Sequence, residues 1–350
     1  MKFSILVFIA IQLILIGQPP PPCQAQEAQP DSSVVGVLVW SMNIPGQVSM
    51  REGLEARAAD FPVRLVLRVA GDGPAGIENQ ITQMNELVTM GVDLIIAQPA
   101  DNAALTAPLR AANLAGIPVV AYDQYISGGR LTSYLTSDNY QAGFLDGEYV
   151  AAAFPDSLSL NIVLVEFPQV SSTVERVDGF MDALNEMEQQ FTLAGSYEAV
   201  EPESGRLAGE SILRDFPTPG SVDVIFTVND GGGLAVVDVL AAAGRDEIFV
   251  ASIDGDPASV QNIRDHRLTR IDSAQFCHQL GAEAMATSYR ILQGEQVAAH
   301  ILLPVFPVTR ETLDLYHGWG GPRPASFTKP WPSREPIWQW QLTLGPGEHP

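Results

Sequence analysis

The sequence predicts an α/β protein built on two doubly wound parallel sheets, each the core of one domain. Three observations lead there. Short apolar runs alternate with stretches of helical length along most of the chain, the pattern of strands joined by helical crossovers. The run Val119–Tyr122 is apolar throughout, as in a strand covered on both faces. The same rhythm occurs twice with little residue identity between the halves, and 350 residues of which 46% are hydrophobic can fill two cores.

The elements follow in order. Residues 34–40 read as a strand, and 48–60 carry Val48, Met50, Leu54 and Ala58 near helical spacing. Pro62 separates these from a strand over 63–69. Residues 74–90 read as a helix with Ile77, Ile81, Met84, Leu87 and Val88 on one face, and Gly91 stands where a C-cap glycine belongs. A strand over 92–97, a helix over 103–115 closed by Gly116, and strands over 119–122 and 131–135 continue the alternation. After a helix over 140–154 the second series has strands at 161–165, 191–197, 222–228, 248–253 and 268–274. Helices over 173–188, 205–216, 234–243 and 257–265 lie between them. A helix over 279–292 and a strand over 301–308 end the regular part. From Gly318 the chain is rich in Pro, Gly and Trp, and reads as a wrapping extension with one strand within 337–344. Its tryptophans either pack the extension onto the body or form a partner-docking surface.

Several strands deliver a polar side chain at their ends. Residues 34–40 lead to Ser41-Met42-Asn43, and 92–97 to Gln98-Pro99-Ala100-Asp101. Residues 119–122 lead to Asp123-Gln124, 222–228 to Asn229-Asp230, and 248–253 to Asp254-Gly255-Asp256. In open parallel sheets ligands bind beyond the carboxyl ends of the strands, so five such ends suggest a shared cleft. Each has an ordinary alternative. Asp123 or Asp254 could cap a following helix, Asn229-Asp230-Gly231 could be a turn, and Arg176 could pair with Glu175 or Asp178 on a solvated face.

Composition narrows the function. Met1-Lys2, an apolar stretch over 3–17 and a Pro-rich polar region read as a secretory signal peptide. The apolar run is shorter than the ~18–20 residues a membrane span needs. Cleavage after Ala25 is expected, with an uncleaved anchor or lipidation of Cys23 as alternatives, and the protein is expected in the periplasm. Removal of the signal leaves Cys277 as a single cysteine, read as a small buried hydrophobe, so no internal disulfide is expected. A net charge of −22 excludes a nucleic-acid partner, which needs a basic footprint. There is no Gly-x-Ser-x-Gly elbow, no His-Glu-x-x-His and no P-loop, and the five histidines lie late and apart. No enzyme activity, metal or cofactor is expected.

The ordered motifs carry a resemblance. They are Asn43-Ile44-Pro45 with Ser49-Met50-Arg51-Glu52-Gly53, residues 95–101, residues 116–124, Ser137-Asp138-Asn139, and Glu175-Arg176-Val177-Asp178-Gly179-Phe180. Residues 226–230, Ile253-Asp254-Gly255 and Gln275 complete the series. From about residue 34 to 309 the chain resembles the ribose-binding type of periplasmic solute-binding protein, of type I fold, whose core is shared with LacI-type repressors. The resemblance implies two lobes joined by three hinge crossovers, near residues 136–138, 274–276 and 303–305. The lobes would be 33–137 plus 276–303, and 138–275 plus 304–317, with 1–25 the signal peptide and 318–350 the extension. A repressor is not expected, because the signal peptide stands where a DNA-binding headpiece would be.

The resemblance also implies ligand contacts. Asp123 and Asp254 would accept from ligand hydroxyls, Arg176 would donate through its guanidinium fork, and Asn229 and Gln275 would do both. Asn43 and Gln47 of the first loop and Gln124 beside Asp123 complete the polar set. Ribose binders place two aromatic residues after the loop proline; here Gly46 and Gln47 stand there, and Gln124 replaces an arginine. Trp40 would supply the stacking face, with Tyr125 and Phe276 as weaker candidates. The expected ligand is a sugar or polyol, with a small signal molecule as the alternative. The expected partner is a membrane permease of the ABC type or, alternatively, a sensor kinase or chemoreceptor. A monomer is expected.

Overall fold

A computed structural model describes residues 32–345; the expected signal peptide, Cys23 and the expected cleavage position lie outside them. In chain order the elements are β1 (Ser33–Val39), α1 (Pro45–Ala58), β2 (Val63–Val69), α2 (Gly73–Met90), β3 (Leu94–Ala97), α3 (Thr106–Leu114), β4 (Val119–Tyr122) and β5 (Ser133–Ser137). There follow α4 (Asn139–Ala153), β6 (Leu160–Glu166), α5 (Ser171–Glu186), β7 (Phe191–Glu198), α6 (Pro202–Asp215), β8 (Val224–Thr227), α7 (Asp230–Ala242), β9 (Phe249–Asp254), α8 (Pro257–Arg264) and β10 (Thr269–Ala274). The chain closes with α9 (Cys277–Leu292), β11 (His300–Leu303), β12 (Phe306–Thr309), β13 (Phe327–Thr328), β14 (Ile337–Trp338) and β15 (Thr343–Gly345).

These strands form two large sheets, as the apolar runs predict. The first has the order β15-β11-β5-β4-β3-β1-β2 and the second β12-β10-β9-β8-β6-β7. Strand alternation divides each sheet's side chains between two helical layers. Val35, Val37 and Val39 of β1 face Met50, Leu54 and Leu280 of α1 and α9, whereas Leu38 faces Met84, Leu87 and Leu109 of α2 and α3. In the second sheet Ile162 and Leu164 face Leu145 and Phe180, and Val163 and Val165 face Ile212 and Val236. The fold is thus two α/β domains of type I architecture. The chain passes between sheets three times before the extension, from β5 to β6, from β10 through α9 to β11, and from β11 to β12, and a fourth time when the extension returns from β12 to β15.

Four details differ from the sequence expectation. The sheets are not wholly parallel, since β12 runs antiparallel to β10 and β15 antiparallel to β11. The single strand over 301–308 is two strands of different sheets, separated by Pro304 and Val305; a proline cannot donate to a ladder. Helix α7 starts at Asp230, ahead of the expected start at Leu234, and takes in Gly231 to Gly233, so Asn229-Asp230-Gly231 is a helix start and not a free turn. These glycines allow a close approach, since a Cβ at Gly231 would lie 2.4 Å from the Val200 carbonyl oxygen. The extension carries three short strands rather than one, and β15 completes the edge of the first sheet.

The extension is docked on the body. Trp331 and Trp338 are buried, and Trp338 packs with Phe276, Phe306 and Tyr316 beside the crossovers. Its Nε1–H donates to the Val305 carbonyl at 2.7 Å, within the third crossover. Lys329 is buried against Glu148 of α4, which also accepts from Trp331 Nε1, Ser333 Oγ and the Arg334 amide. Packing onto the body is therefore the reading the four extension tryptophans support. No helix among the described residues is long and apolar enough to cross a membrane.

Candidate functional site

The carboxyl ends of the two sets of strands face one cavity, which encloses about 480 Å³ with its open mouth included. Its polar lining comes from both sides. Gln47, Asp123 and Gln124 belong to the first sheet's loops and helices; Ser172, Thr173, Arg176, Asn229 and Asp254 belong to the second; Gln275 lies in the crossover after β10. Trp40 is the aromatic side chain of the lining, and Ile44, Met50, Val170, Val200 and Cys277 supply the apolar remainder.

The first side is built on a buried glutamine. Trp40 follows β1, and its amide donates to Gln98 Oε1 at 3.2 Å. Gln98 Nε2 donates to Asp123 Oδ2 at 2.9 Å. One side chain therefore fixes both the aromatic wall and the carboxylate. Asp123 has a positive φ of 65°, and its carbonyl accepts from Thr136 Oγ1 at 2.8 Å and Tyr134 Oη at 3.2 Å. Burial raises its pKa, opposed by the Gln98 hydrogen bond and the Arg176 charge. Gln47, in the first turn of α1, accepts from the Ser41 amide at 2.9 Å.

The second side centres on Arg176. This residue is buried, so it does not sit on a solvated face with Glu175 and Asp178. Its Nη1 reaches Asp254 Oδ1 at 3.1 Å and the Val228 carbonyl at 2.7 Å, and its Nε donates to Asn139 Oδ1 at 2.9 Å. Asp254 Oδ1 also accepts from Gln275 Nε2 at 2.6 Å. Burial pushes the Asp254 carboxyl up to about 6 in spite of Arg176. Asn229 has two tasks: it caps α7 by accepting from the Gly232 amide at 3.1 Å, and it faces the cavity. Asp254 caps nothing; Asp256 caps α8 instead, accepting from the Ala258 amide at 2.8 Å.

The two sides are bonded to each other. Gln124 Nε2 donates to Ser172 Oγ at 2.7 Å across the cleft. Gln124 Oε1 is buried with no hydrogen-bond partner among the described residues. Behind the cavity, Asn139 Nδ2 donates to Thr136 Oγ1 at 3.0 Å and Ser137 Oγ donates to Gln275 Oε1 at 2.7 Å. Thr136 and Ser137 are adjacent on β5, so Thr136–Asn139–Arg176–Asp254–Gln275–Ser137 forms a closed polar ring through the hinge.

Eight of the nine residues proposed from sequence thus line one cavity: Trp40, Gln47, Asp123, Gln124, Arg176, Asn229, Asp254 and Gln275. Asn43 does not. It is exposed between the buried Ser41 and Ile44, and its Nδ2 donates to Asp72 Oδ2 at 2.5 Å, outside the cavity. Tyr125 and Phe276 are also outside the lining; Phe276 is buried among the hinge aromatics. Sequence reasoning missed Gln98, Asn139, Ser172 and Thr173. Gln98 had a signal, its place at a strand end, but the neighbouring Asp101 looked equally eligible. Asp101 caps a turn, accepting from the Ala103 and Ala104 amides.

Among the described lining residues one cation, Arg176, faces two carboxylates, Asp123 and Asp254. Arg176 already serves Asp254, Asn139 and a carbonyl. Such a cavity repels anions and offers acceptors and amide donors to a neutral molecule with several hydroxyls. Trp40 offers an apolar face. Among the described residues no group of His, Cys, Asp and Glu is placed to hold a metal ion.

A family model described as a periplasmic binding protein domain matches residues 35–296. The chain is similar to the ribose import binding protein RbsB of Escherichia coli (strain K12), 27% identical over 266 residues that cover 76% of this chain and 86% of that one. It is also similar to a xylitol-binding protein of Mycolicibacterium smegmatis, 22% identical over 289 residues, 82% and 80% of the two chains. Among solved structures it resembles an ABC transporter periplasmic solute binding protein from Actinobacillus succinogenes 130z with bound D-allose. That likeness has a TM-score of 0.72 at 22% identity, over 81% of this chain and 100% of that one. At this identity it speaks for the fold.

Proposed function

The chain belongs to the periplasmic binding protein domain family, and on that premise we propose that it captures a neutral sugar or polyol and delivers it to an ABC importer. The observation that supports this is the cavity. Polar side chains from two sheets converge on it around one tryptophan, with no surplus of positive charge. In this reading the lobes are 33–137 plus 276–303 and 138–275 plus 304–317, with 318–350 an extension, and the exported protein works in the periplasm. Asp123 and Gln124 hold the ligand from one lobe, Arg176, Asn229 and Asp254 from the other, and Gln275 from the hinge. Trp40 covers the C–H face of the ring. The protein binds and releases its ligand without chemical change.

Relatives support the ligand class through what their names say they bind: ribose, xylitol, and D-allose in the structural neighbour. Ligand stabilises the closed form in proportion to its preference for it, and the importer reads the surface that closure creates. The test is thermal unfolding against D-ribose, D-allose, xylitol, myo-inositol, other pentoses and hexoses, and charged analogues. A ligand at ~100 times its dissociation constant adds about 2.7 kcal/mol, a shift of several degrees. A response confined to sugar acids or phosphates would overturn the reading, as would a protein that unfolds identically in every solution.

A further inference from the structure

The turn that presents Asp254 has an uncommon backbone. Asp254 has a φ of 130° and Gly255 a φ of 75°. A Cβ at Gly255 would stand 2.3 Å from the Ala274 Cβ, so only glycine fits. A non-glycine residue at such a φ persists only where its surroundings hold it there. Two holding contacts come from the second sheet: the Gly255 amide donates to Asp272 Oδ1 at 2.8 Å, and the Gln275 amide to the Asp254 carbonyl at 3.1 Å. Two more come from residues beyond both sheets. Tyr316 Oη donates to the Gly255 carbonyl at 3.3 Å, and Trp319 Nε1 donates to the Asp254 carbonyl at 2.6 Å.

Trp319 also touches the other side of the cleft. Its ring packs against the core of the first sheet, and its Cζ2 lies 3.9 Å from where a Cβ on Gly46 would be. Gly46 and Asp254 both line the cavity, from different sheets. The indole is therefore wedged behind the site, with its ring on one side and its N–H on the other.

We infer that Trp319 is a positioning residue of the ligand site, fixing through its indole N–H the turn from which Asp254 presents its carboxylate. The inference rests on the reading that Asp254 meets the ligand. It makes the C-terminal extension a third contributor to the site, beside the two lobes. Without the N–H the Asp254 carbonyl keeps only the Gln275 amide, and the carboxylate loses its fixed aim toward Arg176 and Gln275.

Trp319→Phe keeps a ring and removes the donor. In the ligand-free purified protein, hydrogen exchange at the Gly255 and Gln275 amides should accelerate about tenfold, the effect of losing one hydrogen bond. Residues 327–338 should exchange as before. Trp331→Phe, which removes an indole donor elsewhere in the extension, should do the reverse. Turn exchange within about twofold of wild type in Trp319→Phe, or an equal acceleration in Trp331→Phe, would overturn the inference. For whichever of D-ribose, D-allose, xylitol or myo-inositol binds, Trp319→Phe should weaken affinity about tenfold, and the loss should vanish in an Asp254→Asn background. A loss that persists there overturns the positioning role. If none of the four binds while the turn responds as described, Trp319 keeps its role and the ligand assignment fails.

Discussion

Replacing Lys329 by methionine should release the C-terminal extension while both sheets stay folded. The Lys329 ammonium is 2.8 Å from Glu148 Oε2, and the two side chains are 3% and 0% exposed. Breaking a buried pair by removing one member costs about 3–5 kcal/mol, because the survivor is left charged and dry. Glu148 would keep Trp331 Nε1, Ser333 Oγ and the Arg334 amide as donors. Charge-assisted hydrogen bonds of this kind hold the cost near the low end, about 3 kcal/mol. All three surviving donors lie in the extension, so undocking it hydrates the carboxylate. The cost therefore appears as local opening rather than global unfolding. About 3 kcal/mol corresponds to an opening ~150-fold more frequent. Hydrogen exchange at the Lys329 amide, which donates to the Pro336 carbonyl at 2.8 Å, reads this directly. Glu148→Gln should also open the extension, since it leaves the ammonium buried. Lys329→Met with Glu148→Gln should exchange more slowly than the worse single variant, because no unpaired charge remains. Exchange in Lys329→Met within about threefold of wild type, or a double variant as open as that single, would refute the argument.

Other expectations follow from the site. Gln98→Leu should weaken ligand binding by at least about tenfold in calorimetry, since Asp123 loses its 2.9 Å donor and the Trp40 amide its acceptor; unchanged affinity would remove Gln98 from the site's support. Asp123→Ala should abolish detectable binding with the fold retained by circular dichroism, and full affinity would overturn the site assignment. The pH dependence should be inverted relative to ordinary acid unfolding. Asp254 is raised to about 6 by burial, and Glu175 to about 7 by burial and then by the Asp138 charge. Groups raised in the folded state add stability below their unfolded values that is lost as pH rises through the folded ones. The ligand-free protein should therefore lose stability between about pH 4 and 7, with part of the slope absent in Asp254→Asn; a flat or rising melting temperature in both would contradict this. Cys277, fully buried with its thiol pushed up by burial, should resist alkylation in the folded protein. Labelling as fast as in urea would contradict it.

The chain's periodicity revealed most of the architecture because the central strands are buried on both faces, while the edge strands β2 and β7 are not. Val119–Tyr122 and Leu94–Ala97 are wholly buried, and such runs are hard to mistake once turn residues bound them. The cavity-lining residues at strand ends, Asp123, Asn229 and Asp254, were legible for the same reason: the polar residue follows an apolar run. Residues on helices were legible only through the family motif, as with Arg176. Ser172 and Thr173, on the same helix, look like any first turn. Asn43 shows the converse, since a motif position can be kept in sequence while its side chain bonds outside the cavity, here to Asp72. The split of 301–308 between two sheets was hidden from periodicity because both halves are equally apolar; only the family resemblance placed a crossover near 303–305.

The pairing of β15 with β11 has a consequence for the order in which the molecule can be made. Of the six strands of the second sheet, five lie between residues 160 and 274, so that sheet is nearly complete before the first can be. The first sheet begins at Ser33, yet it waits for β11 at His300–Leu303 and for its edge at Thr343–Gly345. The leading part of the polypeptide therefore completes its core only with α9 and β11, and its edge later still, because pairings of such long sequence separation are slow to form. If the chain is exported as proposed, its late-closing front end is the part that stays extended longest.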